Sequence, residues 1–194
     1  MNKLNKEYLL PFLLTGLVIF LDQISKNYIV TNWPEPGTFI KDVFENDFLL
    51  IYHVRNKAIA FSIGENIPEQ FRYFLFVIIP LAVLFLLVWY YFKTVEFDGL
   101  QRWAIAGIIG GGIGNIIDRI VKDDGVVDYV SIKFYGLFGM ERWPTFNIAD
   151  ASVVICCITL LVTMMVPEKK KPVKEPAIEE TAKDEAAEEQ IRDE

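Results

Sequence analysis

The chain alternates between long apolar runs and short polar breaks. Four runs stand out, at residues 9 to about 29, 73–92, 103–120 and 148–166. Each is close to the ~20 residues that an α-helix, rising about 1.5 Å per residue, needs to cross the hydrocarbon layer of a bilayer. The pattern therefore predicts four transmembrane helices. Pro80 lies in the middle of the second run and predicts a kink, which membrane helices tolerate when neighbours satisfy the freed carbonyl. The first run carries Asp22 and has no small-residue cleavage site behind it, so it reads as a retained span and not as a signal peptide.

Two stretches between the runs carry a different period. Within the first, at about 30–70, "FLLIYHV" (48–54) is rich in strand formers and "NKAIAFSIG" (56–64) continues extended after a polar break. Within the second, at about 121–147, "GVVDYVSIKF" alternates, so that Val126, Asp128, Val130, Ile132 and Phe134 share one face of a strand. Together they predict a small β-sheet resting on the outer face of the membrane. Asp128 stands in an apolar row, where a carboxylate has no solvent to hold it and needs a task.

Composition divides the chain once more. Hydrophobic residues make up 53% of it, yet 167–194 is almost wholly charged residues, Ala and Pro, and is expected to be a disordered charged tail. The tail carries part of the net charge of -7, so the acidic balance says little about the spans. Lys3 and Lys6 precede the first span, Lys93 and Arg102 flank the turn between the second and third, and Lys169, Lys170 and Lys171 follow the fourth. An even number of spans puts these on one side, and the positive-inside rule makes that side, with both termini, cytoplasmic. Cys156 and Cys157 are neighbours on a helix, point apart, and read as small packing residues.

Polar groups within the spans each need a partner or a purpose. Asp22 and Lys26 lie one helical turn apart, which fits either a pair whose lysine snorkels to the outer interface or a binding role. Asn115, Asp118 and Arg119 follow at i, i+3 and i+4 and make one stripe facing the bundle. The glycines before them, Gly110, Gly111, Gly112 and Gly114, form a seam for close helix approach. At the start of the fourth span Asn147 and Asp150 are spaced as a variant capping box, which favours an ionised Asp150 at the helix N-terminus. If Asp128 folds back beside Asp150, the carboxylates repel and one keeps a proton near neutral pH. Such a pair can activate water against an amide carbonyl. His53 finds no metal cluster or Ser-His-Asp set around it, Ser152 has no nucleophile context, and the glycine run lacks the Lys-Ser/Thr of a phosphate loop.

Five motifs in this order, "LDQISK" (21–26), "NKAIAF" (56–61), "GGGIGNIIDR" (110–119), "VVDY" (126–129) and "FNIAD" (146–150), resemble those of the bacterial lipoprotein signal peptidases, also called signal peptidase II. The resemblance covers 9–166 and leaves out the tail. It implies an α-helical integral membrane protein of the bacterial inner membrane. The peptidase domain, 1–166, would have four transmembrane helices, a small extracytoplasmic β-cradle and an active site near the outer face, followed by the cytoplasmic tail. The implied activity is that of an aspartic endopeptidase, needing no cofactor or metal, that removes the signal peptide from a prolipoprotein already carrying diacylglycerol on its cysteine, cutting before that cysteine. Carried over by position, the catalytic aspartates are Asp128 and Asp150. Asp22, Lys26, Asn56, Asn115, Arg119 and Asn147 hold the pair, orient the peptide and meet its carbonyls. Asp118 is expected to serve as a structural partner of Arg119 or of nearby backbone. Ala58 stands where the family's "NTGAAF" pattern has glycine, and a bulky Ile59 follows. The partners implied are lipidated prolipoprotein and membrane lipid, with no nucleic acid and no obligatory oligomer. Two rival readings are an ion-coupled transporter, which places its acids nearer the midplane, and a non-catalytic membrane scaffold, which leaves Asp128 without a task.

Overall fold

The computed structural model describes residues 6–57, 68–122 and 124–165. Four helical stretches are long and apolar enough to cross a membrane: Lys6–Asn32, Phe71–Lys93, Gly99–Val121 and Ile148–Met165. The first is divided into α1 (Lys6–Leu9) and α2 (Phe12–Asn32) by Pro11, which sits at the N-cap of α2. A three-stranded antiparallel sheet accompanies them, β1 (Phe39–Asp42), β2 (Leu49–Asn56) and β3 (Val126–Ile132), in that order across the sheet. The second span comprises α3 (Glu69–Tyr73), a π-helical turn (Phe74–Ile78) and α4 (Ile79–Lys93). Then follow α5 (Gly99–Val121) and α6 (Ile148–Met165). The expected extended continuation from 58 to 64, with Ala58 and Ile59, and the expected tail at 167–194 lie outside the described residues.

Pro80 has no N–H, and its ring would press on the carbonyl four residues back in an unbroken α-helix. The chain answers by widening the preceding turn into a π-helix. α5 starts earlier than its apolar run, because Asp98 and Gln101 close a capping box: Asp98 accepts from Gln101 N at 2.7 Å, and Gln101 Oε1 accepts from Asp98 N at 3.2 Å. Arg102, expected in the flanking turn, therefore lies inside α5 and is buried.

α5 packs against α2, α4 and α6, and its glycines make that possible. A Cβ on Gly111 would run into the Ala149 carbonyl of α6, and one on Gly110 would lie 3.0 Å from the Thr15 carbonyl of α2. The seam read from the sequence is thus where two helices press their backbones against α5. β3 is buried on both faces along Val126–Tyr129. Val127 and Tyr129 pack on Ile29 of α2, with Val30, Trp33, Ile40 and Ile51 around them. Asp128 points to the other side. His53 serves the sheet, its Nδ1 donating to the Trp33 carbonyl at 2.6 Å and so tying β2 to the end of α2.

Candidate active site

The C-terminal ends of α2 and α5, the N-terminal end of α6 and the first half of β3 meet at one end of the bundle, and the polar residues singled out in the sequence collect there. Asn147 sits at the centre. Its Oδ1 accepts from the backbone N–H of Asp150 at 2.9 Å, and its own N–H donates to Asp150 Oδ2 at 3.2 Å, so the expected capping box forms. Its Nδ2 is then left to donate to Asp128 Oδ1 at 2.7 Å and to Asn115 Oδ1 at 3.1 Å. One residue thus donates to both carboxylates, from its side chain to Asp128 and from its backbone to Asp150.

The orientation of both amides follows from donors that have no choice. A backbone N–H can only donate, which directs Asn147 Oδ1 to Asp150 N and Nδ2 to Asp128. An ammonium can only donate, and Lys26 Nζ donates to Asn115 Oδ1 at 2.9 Å. Asn115 Nδ2 must therefore face Asp150, whose Oδ1 it meets at 2.7 Å. Asn56, the last residue of β2, donates to Asp128 Oδ2 at 2.9 Å, placed there by the pairing of Val54 with Asp128 and of Asn56 with Val126. Every oxygen of the two carboxylates receives at least one N–H.

Asp128 is 1% exposed. Its carboxyl is pushed up to about 7, first by burial and then by the negative charge of Asp150; the hydrogen bonds from Asn56 and Asn147 and the charge of Lys26 pull the other way. Two carboxylates so placed can share one proton, the arrangement that acid–base chemistry on a carbonyl needs.

Lys26 does not snorkel. It is fully buried between Asp22 Oδ2 at 2.8 Å and Asp118 Oδ2 at 3.2 Å. The helix spacing predicts the first partner and cannot predict the second, which comes from α5. Asp118 takes its expected backbone role, accepting from Val127 N at 3.1 Å, and pairs with Lys26 and with Lys122, the latter at 2.7 Å. Asp22 also accepts from Ala149 N at 3.0 Å, tying α2 to the first turn of α6. Two acids and two lysines thus balance within this cluster. The Arg119 guanidinium lies 5.7 Å from the Phe76 ring, with the charges of Asp150, Asp128 and Asp118 acting on it. It lines a pocket of about 190 Å³ with Asn56, Arg72, Tyr73, Phe76 and Lys122.

Three contributors went unread in the sequence. Gln23 donates to Asp22 at 3.1 Å, to the Gly114 carbonyl at 3.0 Å and to Asp118 at 3.2 Å, and its polarity inside an apolar run was the available signal. Lys122 follows Asp118 at i+4, the spacing of an intrahelical pair. Ser25 meets the Tyr129 hydroxyl at 2.8 Å, and no local pattern marks that contact.

Four apolar spans, with two carboxylates held by one asparagine at a single end of the bundle, have the form of a membrane peptidase of the aspartic type. Residues 14–166 match the family described as Signal peptidase (SPase) II. The lipoprotein signal peptidase of Treponema pallidum (strain Nichols) is 41% identical over 181 residues, 93% of this chain and 96% of that protein. The lipoprotein signal peptidase of Treponema denticola is 42% identical over 171 residues, 88% of this chain and 97% of that protein. A bacterial membrane enzyme solved by the in meso method at 2.3 Å resolution superposes with a TM-score of 0.68 at 28% identity, covering 86% of this chain and 93% of that one. The chain belongs to the signal peptidase II family.

Proposed function

We propose that Asp128 and Asp150 are the catalytic pair of this peptidase and that its substrate is a prolipoprotein carrying diacylglycerol on the cysteine that follows the scissile bond. The observation that carries this reading is Asn147, whose side-chain amide donates to the carboxylate of Asp128 and whose backbone N–H donates to that of Asp150. Asp128 starts protonated, as its burial and a carboxyl at about 7 favour. Asp150, at the N-terminal turn of α6 and accepting from Asn115 and Asn147 N, starts as the anion. Asp150 takes a proton from water, the oxygen adds to the amide carbonyl, and Asp128 donates its proton to the carbonyl oxygen. Collapse of the tetrahedral intermediate breaks the C–N bond: the proton held by Asp150 passes to the leaving nitrogen, and a hydroxyl proton of the intermediate returns to Asp128 as the carbonyl re-forms. Arg119 and Asn56, beside the pair and lining the adjoining pocket, orient the peptide and meet its carbonyls. Asp22, Lys26, Asn115 and Asn147 hold the pair in place.

The membrane setting supports the substrate. Acyl chains partition into lipid at ~0.8 kcal/mol per buried methylene, so a lipidated cysteine has to be met where the lipid is. The site lies at the rim of the spans, level with the headgroups. Lys6 and Lys93 lie towards the opposite end, which supports a cytoplasmic N-terminus, an extracytoplasmic site and residence in the bacterial inner membrane. The peptidase unit is the four spans with their two outward segments.

The test is cleavage of lipidated and unlipidated precursor by the full chain in detergent or bilayer. Asp128→Asn and Asp150→Asn are each expected to lower the rate by about 10²–10⁴-fold or more, with circular dichroism of the helices unchanged and with chelators leaving the unsubstituted protein active. Substantial cleavage by either variant removes the dyad. Equal cutting of unlipidated precursor removes the substrate and leaves the peptidase.

A further inference from the structure

At the end of the sheet away from Asp128, two hairpin tips carry exposed apolar side chains that the reaction does not use. The first joins β1 to β2 and exposes Val43, Phe44 and Phe48; the second follows β3 and exposes Tyr135, Leu137 and Phe138, the last of them 82% open. Asp47 fastens one tip to the other, accepting from Lys133 at 2.9 Å and from Arg142 at 3.2 Å, while Lys133 N donates to the Phe48 carbonyl at 2.8 Å. Tyr135 and Phe138 both take left-handed backbone, φ 53 and 54, a conformation bulky residues seldom adopt. The turn is closed by Phe134 N on the Glu141 carbonyl at 2.8 Å and Gly136 N on the Met140 carbonyl at 3.0 Å, and Phe134 packs on Trp143 with centroids 5.1 Å apart. These side chains are held outwards by a cross-braced frame.

Clusters of this kind are uncommon on surfaces that meet only water. The sheet sits at the depth of the helix ends: Ile29 and Val30 of α2 pack against it, and the Tyr129 hydroxyl reaches Ser25, while α2 runs on to Asn32. That remaining stretch of helix is about 10 Å long. The sheet therefore overlaps the rim of the spans instead of standing above it. On its open flank α2 exposes Leu21, Ile24 and Tyr28, so the apolar surface that faces lipid already reaches the level of the sheet. Aromatic side chains with Lys133 and Arg142 at their base have the composition of a membrane–water interface.

We propose that the two tips, at 43–48 and 134–141, dip together into the bilayer interface on the dyad side, as a lateral lipid anchor for the sheet. β3 is then held at both ends, at Asp128 by Asn147 and at its far end by lipid, which sets the depth of the dyad relative to the acyl chains. The anchor stands on the membrane fold and does not depend on which residues are catalytic.

The experiment places a nitroxide at Phe138→Cys and, separately, at Phe44→Cys in the full chain carrying Cys156→Ala and Cys157→Ala, reconstituted in phosphatidylcholine/phosphatidylglycerol vesicles. Labels at Phe20, exposed on the flank of α2, and at Glu96, exposed in the turn between α4 and α5, calibrate the lipid and water ends of the scale. The ratio of accessibility to oxygen over a water-soluble nickel chelate is expected at both tips to stand clearly above that of Glu96 and below that of Phe20, which lies near mid-span. A ratio matching Glu96 at either tip overturns the proposal. So does loss of access to both reagents together with spectral broadening that grows with the protein-to-lipid ratio, which marks a second copy as the occupant. If Phe138→Cys lowers the folded yield, Leu137→Cys carries the same label without a left-handed backbone to preserve.

Discussion

Lys26 and Arg102 are both buried cations, at opposite ends of one bundle, and they are held in opposite ways. Lys26 stands among carboxylates, between Asp22 and Asp118, and passes its polarity through Asn115 to Asp150. Arg102 stands among rings and carbonyls. Its guanidinium carbon is 4.0 Å from the Tyr8 ring centroid and 5.2 Å from that of Tyr91, and Nη2 donates to the Thr94 carbonyl at 3.2 Å. Among the described residues no carboxylate pairs with it. Tyr91 closes the same corner, its hydroxyl donating to the Tyr8 carbonyl at 2.8 Å. A cation over aromatic faces fastens helices without touching an acid–base equilibrium, whereas a cation at the head of a hydrogen-bond chain sets which way each amide points. The two ends of the molecule thus use the same kind of charge for cohesion and for orienting the proposed catalytic pair.

The hardest test of that contrast is the pair Lys26→Met and Arg102→Met. Lys26→Met leaves two buried carboxylates short of a cation, at a cost of about 3–5 kcal/mol, and removes one of the two donors that hold the Asn115 amide. Cleavage per folded molecule is expected to fall by at least about 100-fold, the scale of losing a positioned acid or base. Arg102→Met is expected to cost up to about 2 kcal/mol, the worth of a desolvated cation–π contact, and to leave kcat/KM of the folded fraction near its starting value. Thermal unfolding in detergent beside precursor cleavage reads both. If Arg102→Met silences folded enzyme, the two ends are not separable.

Gly114→Ala sharpens the same line through packing. A Cβ there would lie 2.7 Å from Asp22 Oδ2 and 3.2 Å from Ala149 Cβ, so Asp22 or a helix has to move. A loss of about 1–3 kcal/mol is expected, as for overpacked cores, together with lower activity. Gly16→Ala, with nothing within 4 Å of the new atom, is the matched control, expected to gain about 0.5–1 kcal/mol from helix propensity. Equal effects from the two substitutions would remove the close approach as the cause.

The smallest effect is a displaced pH profile. With Asp128 as the proposed acid, cleavage is expected to fall as pH rises through about 7. Its folded carboxyl binds the proton more tightly than an ordinary one of 3.8, so the stability it contributes is complete at low pH and is lost as pH rises from about 4 to about 7. Asn56 favours the anion, and Asn56→Ala is expected to move the alkaline midpoint of cleavage upwards. A midpoint that stays or moves down detaches Asn56 from the acid.

Much of this molecule is legible along the chain because it rests on short-range periods. An apolar run of helical length has only lipid or a protein core to enter, so the four spans follow from counting. Period-two alternation through 126–134 exposes Asp128 as out of place, and the spacing from Asn147 to Asp150 announces the cap. β1 escapes because Phe39–Asp42 offers only two alternations before the polar turn. The burial of Lys26 and of Arg102 escapes too, since a long side chain at a helix end can reach water or turn inwards, and neighbours from other segments decide which. The meeting of Asp128 with Asp150 belongs wholly to the tertiary structure. A strand and a helix have to converge on one asparagine, and the sense of each amide is set by a lysine on α2 and a backbone N–H on α6, donors that no local pattern can bring together.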